Sequence, residues 1–466
     1  MRAFWKSLAL RIASIFGLGI AGLGLCISSA PAQTYKVLHA FCTQAGCPDG
    51  SQPNGGLLKD RAGNLYGTTW YGGSTGYGVA YELVRTPHSN QWTYQLLHNF
   101  CEAENCADGG ESDTGFISDR DGNLYGVTVI GGNGGADGAG TVFELMPNAD
   151  RTQWSMHLLY EFCPLQGCRD GQWPHLGLTY AGKSKGQLYD GHSPLYGETG
   201  LGGLSNNGTV FELKPNGSGG WTERVIYDFC KNGSPCVDGA EPQSMLTMDA
   251  SGNLYGTTPL GGTITGGKFQ GVLFELSHSP GSKQWTETVL HNFGCSDKPC
   301  ATVGRFPGGR PLLAEDGNLY GVTETGDARC PAAPTIGCGT LYKIVPAGAA
   351  SQWSKLYRFC KLANCSDGAV PRDGVVMDVA GNLYGVTGYG GSDNTDAIGI
   401  GGGTIFKFDG SMHVLHDFCS QTGCKDGEYP DSAPVIDSKG DLFGATECGG
   451  AQTGCDEAGV VYELKP

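Results

Sequence analysis

The sequence is short of helix. No stretch places apolar residues at the i, i+3, i+4, i+7 spacing of an amphipathic helix, and glycine or proline interrupts too often for one to grow. Long apolar runs are missing too: after the first 32 residues none could cross a bilayer. Positive charge is scarce, with 30 Lys and Arg against 46 Asp and Glu and a formal net charge of −16. That balance argues against nucleic acid or an anionic membrane surface as partner. Gly-x-Ser-x-Gly, His-Glu-x-x-His and the phosphate-binding loop are all absent, so no catalytic signature is legible. Glycine, by contrast, makes up 79 of 466 residues. It follows no Gly-x-y period and sits among plentiful aromatics and aliphatics, so neither collagen nor disorder fits.

The glycines are organised in a repeat. Residues 63–83 read Gly-Asn-Leu-Tyr-Gly-Thr-Thr, then Gly-Gly, then Gly-Val-Ala-Tyr-Glu-Leu. The unit returns at 122–145, 195–213, 252–276, 317–344, 381–408 and 440–464, seven copies in all. Each passage holds four strand-like runs, in the first case 57–59, 64–69, 78–84 and 92–100. An Asp-x-x-Gly turn joins the first two, Asp capping the turn and Gly supplying the positive φ. Seven four-stranded antiparallel units predict an all-β fold, a seven-bladed β-propeller, with a linear β-solenoid as the alternative. The run 35–41 matches a fourth strand, whereas the chain stops after a third strand at 460–464. The expectation is that 35–41 closes the ring as the outer strand of the last blade, removing an open edge.

This repeat resembles the GloVer (Gloeo/Verruco-type) tandem repeat of exported bacterial "choice-of-anchor" proteins, and the match covers essentially all of residues 33–466. More distantly, Asp-x-x-Gly-Asn-Leu-Tyr is similar to a hairpin of NHL-type and sensor periplasmic β-propellers. The resemblance implies an exported repeat protein and brings no catalytic motif. Anchored relatives carry a C-terminal sorting segment; this chain ends at Lys465-Pro466 without one, which implies a released or periplasmic protein.

Residues 1–32 read as a signal peptide. Arg2, Lys6 and Arg11 form a basic start, 12–25 an apolar core, and Ala30-Pro31-Ala32 a cleavage site, leaving 33–466 as a single domain. An uncleaved anchor is the other reading. Cysteine usage agrees with export to a secreted or periplasmic site. Without Cys26, eighteen cysteines fall into local pairs: Cys42/Cys47, Cys101/Cys106, Cys163/Cys168, Cys230/Cys236, Cys295/Cys300, Cys330/Cys338, Cys360/Cys365, Cys419/Cys424 and Cys448/Cys455. All nine pairs are expected to be disulfides. Zinc would need two pairs from different repeats to converge.

The cysteine loops and the Gly-Gly loops are expected at one end of the meander, giving a rigid scaffold with a variable, loop-rich binding face. Residues that depart from the repeat are the candidate ligand-binding ones: Trp70, Tyr71, Trp173, His175, His192, Arg305, Arg310, Tyr389 and Tyr429. Aspartates after the second cysteine (Asp49, Asp108, Asp170, Asp238, Asp367 and Asp426) read as turn residues, with a structural Ca²⁺ as a weaker reading; no other cofactor or metal is expected. His39, His98, His291 and His416 share a strand column with Tyr160, Tyr227 and Tyr357 and read as scaffold. The functional expectation is a monomeric binding or scaffolding module for a carbohydrate or protein ligand. A carbohydrate-active hydrolase or lyase with carboxylates in the central mouth is the alternative, and a purely structural envelope protein is the third reading.

Overall fold

Each Leu-Tyr-Gly run forms a short strand buried on both faces, and the next strand of the repeat pairs with it so that a large aromatic ring lies across the glycine. In the first sheet Gly67 pairs with Tyr81, and a Cβ added at Gly67 would sit 2.5 Å from the Tyr81 hydroxyl. The glycine is therefore fixed by a ring, not by a turn. The computed structural model describes residues 33–466 except 88, 90, 133–137, 165–166, 264–269, 280, 295–303, 327–337, 393–400 and 451–457. The expected signal peptide lies outside the described residues. So do Cys295, Cys300, Cys330 and Cys455, four members of the expected cysteine pairs.

The strands run β1 (Thr34–Ala40), then β2–β5 (Leu58–Lys59, Leu65–Thr68, Val79–Arg85, Trp92–Asn99) and β6–β9 (Ile117–Ser118, Leu124–Thr128, Thr141–Pro147, Trp154–Glu161). Next come β10–β13 (Gln172–Pro174, Leu195–Leu201, Thr209–Pro215, Trp221–Asp228) and β14–β17 (Thr247–Met248, Leu254–Thr258, Val272–His278, Trp285–Asn292). The last are β18–β21 (Gly304–Leu313, Leu319–Gly326, Thr340–Val345, Gln352–Arg358), β22–β25 (Ala369–Met377, Leu383–Tyr389, Thr404–Phe408, Met412–Asp417) and β26–β28 (Val435–Ile436, Leu442–Thr446, Val460–Lys465). Each group is an antiparallel meander in sequence order, and β1 pairs antiparallel with β28. The protein is thus all-β, built of four-stranded antiparallel sheets. One detail departs from separate blades: β18 and β22 make a parallel contact at Arg310 and Gly374, merging two meanders into one eight-stranded sheet. The backbones can touch there because Gly309 faces the Asp373 backbone, leaving no room for a side chain.

Successive sheets pack face to face. Phe100 of the first sheet meets Phe143 of the second, Phe162 meets Phe211, and Phe229 meets Phe274, each with edge-to-face rings. One core cluster joins Leu65, Tyr81 and Leu83 to Phe443 and Val461, so the last sheet packs against the first. Asp60, Asn64, Tyr66 and Glu82 show what the Asp-x-x-Gly-Asn-x-Tyr pattern does. Asp60 accepts from the Asn64 amide at 2.8 Å, and the Tyr66 hydroxyl donates to Glu82 at 2.7 Å. The same network recurs at Asp119, Asn123, Tyr125 and Glu144, which assigns these polar residues to the scaffold.

Candidate functional site

In six repeats the cysteine loop and the Gly-Gly loop are tied together at one end. Gly73 donates to the Cys47 carbonyl at 2.9 Å, Gly203 to Cys168 at 2.9 Å and Gly450 to Cys424 at 2.9 Å. Disulfides close six of these loops: Cys42–Cys47, Cys101–Cys106, Cys163–Cys168, Cys230–Cys236, Cys360–Cys365 and Cys419–Cys424. The other three expected pairs, Cys295/Cys300, Cys330/Cys338 and Cys448/Cys455, each include a residue outside the described ones. Cys300 and its expected partner Cys295 both lie outside the described residues, as does Cys455. Cys448, expected to pair with Cys455, is fully buried and disulfide-bonded. Cys338 is described, whereas Cys330 is not. It is fully buried and packs into a core cluster with Cys360, Cys365, Ala369 and Val370, against the cysteine loop of the next sheet.

The aspartate after each second cysteine caps its own loop. Asp108 accepts from the Glu102 and Ala103 amides at 3.1 Å, and Asp367 from Lys361 at 2.9 Å and Leu362 at 3.0 Å. The outer-strand column of His and Tyr supplies the rest of this cap. His39, His98 and His416 lie 2.9, 3.1 and 3.3 Å from Asp49, Asp108 and Asp426. Tyr160, Tyr227 and Tyr357 donate to Asp170, Asp238 and Asp367 at 2.9, 2.9 and 2.6 Å. Burial alone would raise the Asp108 carboxyl, but His98 and the two amides outweigh it and hold it below the usual range. The six aspartates weighed for Ca²⁺ therefore sit on six separate loops, each with its own donors, and do not share a cage. His291 belongs to the repeat whose sequence has Ala301-Thr302 in place of Asp-Gly. Its buried Nε2 has no hydrogen-bond partner among the described residues, and burial lowers its pKa to about 4.

Past each cap, the chain enters the first strand through a non-glycine residue in the left-handed region: Gln52, Glu111, Trp173, Glu241, Phe306, Val370 and Tyr429, with φ between 50° and 60°. Such a residue costs about 1 kcal/mol of backbone strain. The geometry aims each of their amides at the preceding sheet. Gln52 donates to Ala458 (2.7 Å), Trp173 to Ala139 (2.8 Å) and Tyr429 to Gly402 (2.8 Å), and the other four do likewise. The proline that usually follows lies against the glycine opening the neighbour's third strand. A Cβ at Gly140 would be 2.6 Å from the Pro174 ring.

This entry turn gathers a polar group. Arg372, on β22, lies 3.7 Å from Glu324 and 3.5 Å from Asp431. Burial works against the Arg372 charge, but Asp431 and Glu324 hold it in place. Glu447 joins this group electrostatically: burial pushes its carboxyl up to about 7, Asp431 adding to the rise and Arg372 opposing it. Burial also raises the Glu324 carboxyl, against the pull of Arg372. The rings of Tyr389 and Tyr429 meet edge to face at 5.0 Å beside these groups, with the Glu447 amide bonded to the Tyr429 carbonyl at 3.0 Å. Between the second and third sheets, His175 Nδ1 lies 2.9 Å from Asp113.

The sequence candidates fall into four groups. Tyr389 and Tyr429 come together. Trp70 and Tyr71 are neighbours at 6.3 Å, Tyr71 exposed, and exposed Trp173 precedes His175 on the same loop-rich end. His192 does not belong with them. It lies in the 181–194 insertion, whose Tyr189 amide bonds Ser118 beside the Asp119 turn, at the opposite end of the strands. Arg305 and Arg310 lie on β18, with the Arg310 Nη1 3.8 Å from the Met245 sulfur. Sequence reasoning missed Glu324, Arg372, Asp431 and Glu447. Glu324 and Glu447 stand directly after a Gly-x-Thr triplet, where other repeats have Trp70, Val129, Gly200, Pro259 or Gly388, so column-by-column alignment of the repeats was the available signal. Among the described residues, Cys419, Cys424 and Glu428 cluster closely enough to suggest a metal, but the two cysteines are joined to each other.

No helix among the described residues is long and apolar enough to cross a membrane. The family model described as the Gloeobacter/Verrucomicrobia repeat matches residues 17–193, 134–330, 181–396 and 301–466. No curated protein matches the chain. Among solved structures, the chain is similar to the periplasmic gluconolactonase PpgL of Pseudomonas aeruginosa, at 15% identity over 78% of this chain and 84% of that one, with a TM-score of 0.44. It is also similar to the polysaccharide lyase Uly1, at 11% identity over 94% of each chain, with a TM-score of 0.48. At these identities and scores neither likeness says anything about activity here.

Proposed function

Because this chain belongs to the Gloeobacter/Verrucomicrobia repeat family, we propose that it is an exported seven-bladed β-propeller, closed by its N-terminal strand, that binds a carbohydrate ligand at the mouth on its disulfide-stapled face. The pairing of β1 with β28 and the core shared by the last and first sheets support the closed ring. The disulfides support a secreted or periplasmic location. One observation carries the binding reading: Tyr389 and Tyr429 pack together beside Arg372, Asp431, Glu324 and Glu447. Aromatic faces stack on sugar rings, and a cluster of charged donors and acceptors suits hydroxyls. A glycan array on the purified chain, with Tyr429→Ala and Arg372→Ala, tests it. Binding that both substitutions abolish supports the mouth; binding that neither alters places the ligand elsewhere.

A second reading has its own support. Glu447 carries a proton close to neutral pH beside a second carboxyl, Asp431, and an arginine. That is the pairing a glycoside hydrolase or lyase uses for general acid and base. Release of products from a polysaccharide panel, lost in Glu447→Gln, would move this reading ahead of simple binding.

A further inference from the structure

Four residues after each left-handed entry residue, the chain has glycine or alanine everywhere except at Met245 and Arg310. These positions lie where first strands of neighbouring sheets meet, as the bridges Gly115–Gly177 and Arg310–Gly374 show. Missing side chains leave room there, and three long side chains enter it. Met245 crosses toward the second and third sheets, its methyl 2.9 Å from where a Gly115 Cβ would stand and 3.2 Å from that of Gly177. Lys183 arrives from the insertion found only in the third repeat. Its Nζ donates to the Leu178 carbonyl at 2.8 Å and lies 3.1 Å from the Met245 sulfur. The Arg310 Nη1 lies 3.8 Å from the same sulfur.

A thioether is a weak acceptor and a poor companion for two cations. The carboxyl that acts on Arg310 is Asp373, which already accepts from the Ala433 amide at 3.0 Å. Among the described residues no carboxylate acts appreciably on Lys183. Burial first, and then Arg310, push its ammonium well below the ordinary lysine range. Among the described residues, two basic groups thus face one carboxyl, in a space bounded by small residues.

We propose that Lys183 and Arg310 form a site for a small oxyanion, the size of a carboxylate or phosphate, seated against Met245. An anion between them would supply the missing charge and two charge-assisted hydrogen bonds. The site is built from residues other than those of the tyrosine group, with Asp373 linking the two through Arg310 and Asp431. Its anion has two sources, a free inorganic ion or the carboxylate of an acidic sugar.

Isothermal titration of the purified full chain with inorganic phosphate, acetate and glucuronate, at constant ionic strength, tests the proposal. The expected result is saturable one-site binding of at least one of them. Phosphate or acetate binding identifies a free ion as sufficient, and glucuronate alone identifies the acidic sugar. Lys183→Met and Arg310→Met should each weaken binding at least about tenfold, the worth of one charge-assisted hydrogen bond, whereas Lys185→Met on the exposed side of the same turn should not. Should Arg310→Met fail to fold, Lys183→Met decides alone, because it changes a surface insertion. Absence of binding to all three anions, or binding that Lys183→Met leaves unchanged, overturns the proposal.

Discussion

Glu198 offers a quantitative test of how these sheets are packed. It stands on β11, 1% exposed, where other repeats place Thr68, Val127, Thr257, Val322, Val386 or Ala445. One carboxyl oxygen accepts from the Ser244 amide at 3.0 Å and the Ser244 hydroxyl at 3.1 Å. The other is buried without a hydrogen-bond partner, pressed toward Gly256. Burial raises the carboxyl from 4.5 to about 8, and the Ser244 bonds only partly oppose it. The folded chain therefore keeps a proton that the unfolded chain releases above pH 4.5. The resulting stabilisation is complete below that value and is lost as pH rises toward about 8. At about 1.4 kcal/mol per pH unit, the loss between pH 5 and pH 8 has a ceiling of about 4 kcal/mol, and water entering beside the carboxylate would reduce it to about 2 kcal/mol. Glu198→Gln removes the titration and keeps a carbonyl for Ser244. Urea melts of both chains at pH 5 and pH 9 should show the variant equal or slightly weaker in acid and about 2 kcal/mol or more stronger in alkali. Comparing the two chains is necessary because Glu223 and Glu287 are also raised to about 8 and would titrate in either. A stability difference that is the same at both pH values would refute the buried, proton-bearing Glu198.

The other predictions are simpler. Asp108→Ala strands the Glu102 and Ala103 amides and His98, and should cost about 1–3 kcal/mol at neutral pH. That cost should fade as the solution is acidified through the lowered Asp108 carboxyl, and faster reduction of Cys101–Cys106 would report the same loosening. Deleting 33–41 bares the β28 edge and should give aggregates in gel filtration; a soluble monomer with an unchanged melt would contradict closure by β1. Mild reduction should leave the far-ultraviolet dichroism of the sheets intact, since each short loop contributes about 2 kcal/mol and ties no two sheets together.

The repeat itself determined much of this protein. Leu-Tyr-Gly set the second strand because glycine leaves space for the ring opposite, and Asp-x-x-Gly-Asn set the turn because its side chains complete the turn's hydrogen bonds within a few residues. Both are local effects, so one chain is enough to see them. The six cysteine pairs that close their own loops were legible for the same reason. The surroundings of Cys338 were not: only the packing of neighbouring sheets brings it beside Cys360 and Cys365 in one core cluster. What linked the cysteine-loop aspartate to the His or Tyr column was also less visible: both columns could be read, but only the fold laid one beside the other. The polar group beside Tyr389 and Tyr429 was decided entirely by tertiary structure. Arg372 and Asp431 occupy the opening segments of two different sheets, and Glu324 and Glu447 follow the second-strand Gly-x-Thr of repeats more than 100 residues apart. No local spacing encodes their meeting. Likewise His192 looked equivalent to His175, yet an insertion in the first turn of a meander emerges at the opposite end from its cysteine loop. Strand direction decided that, and sequence departures from a repeat carry no direction of their own.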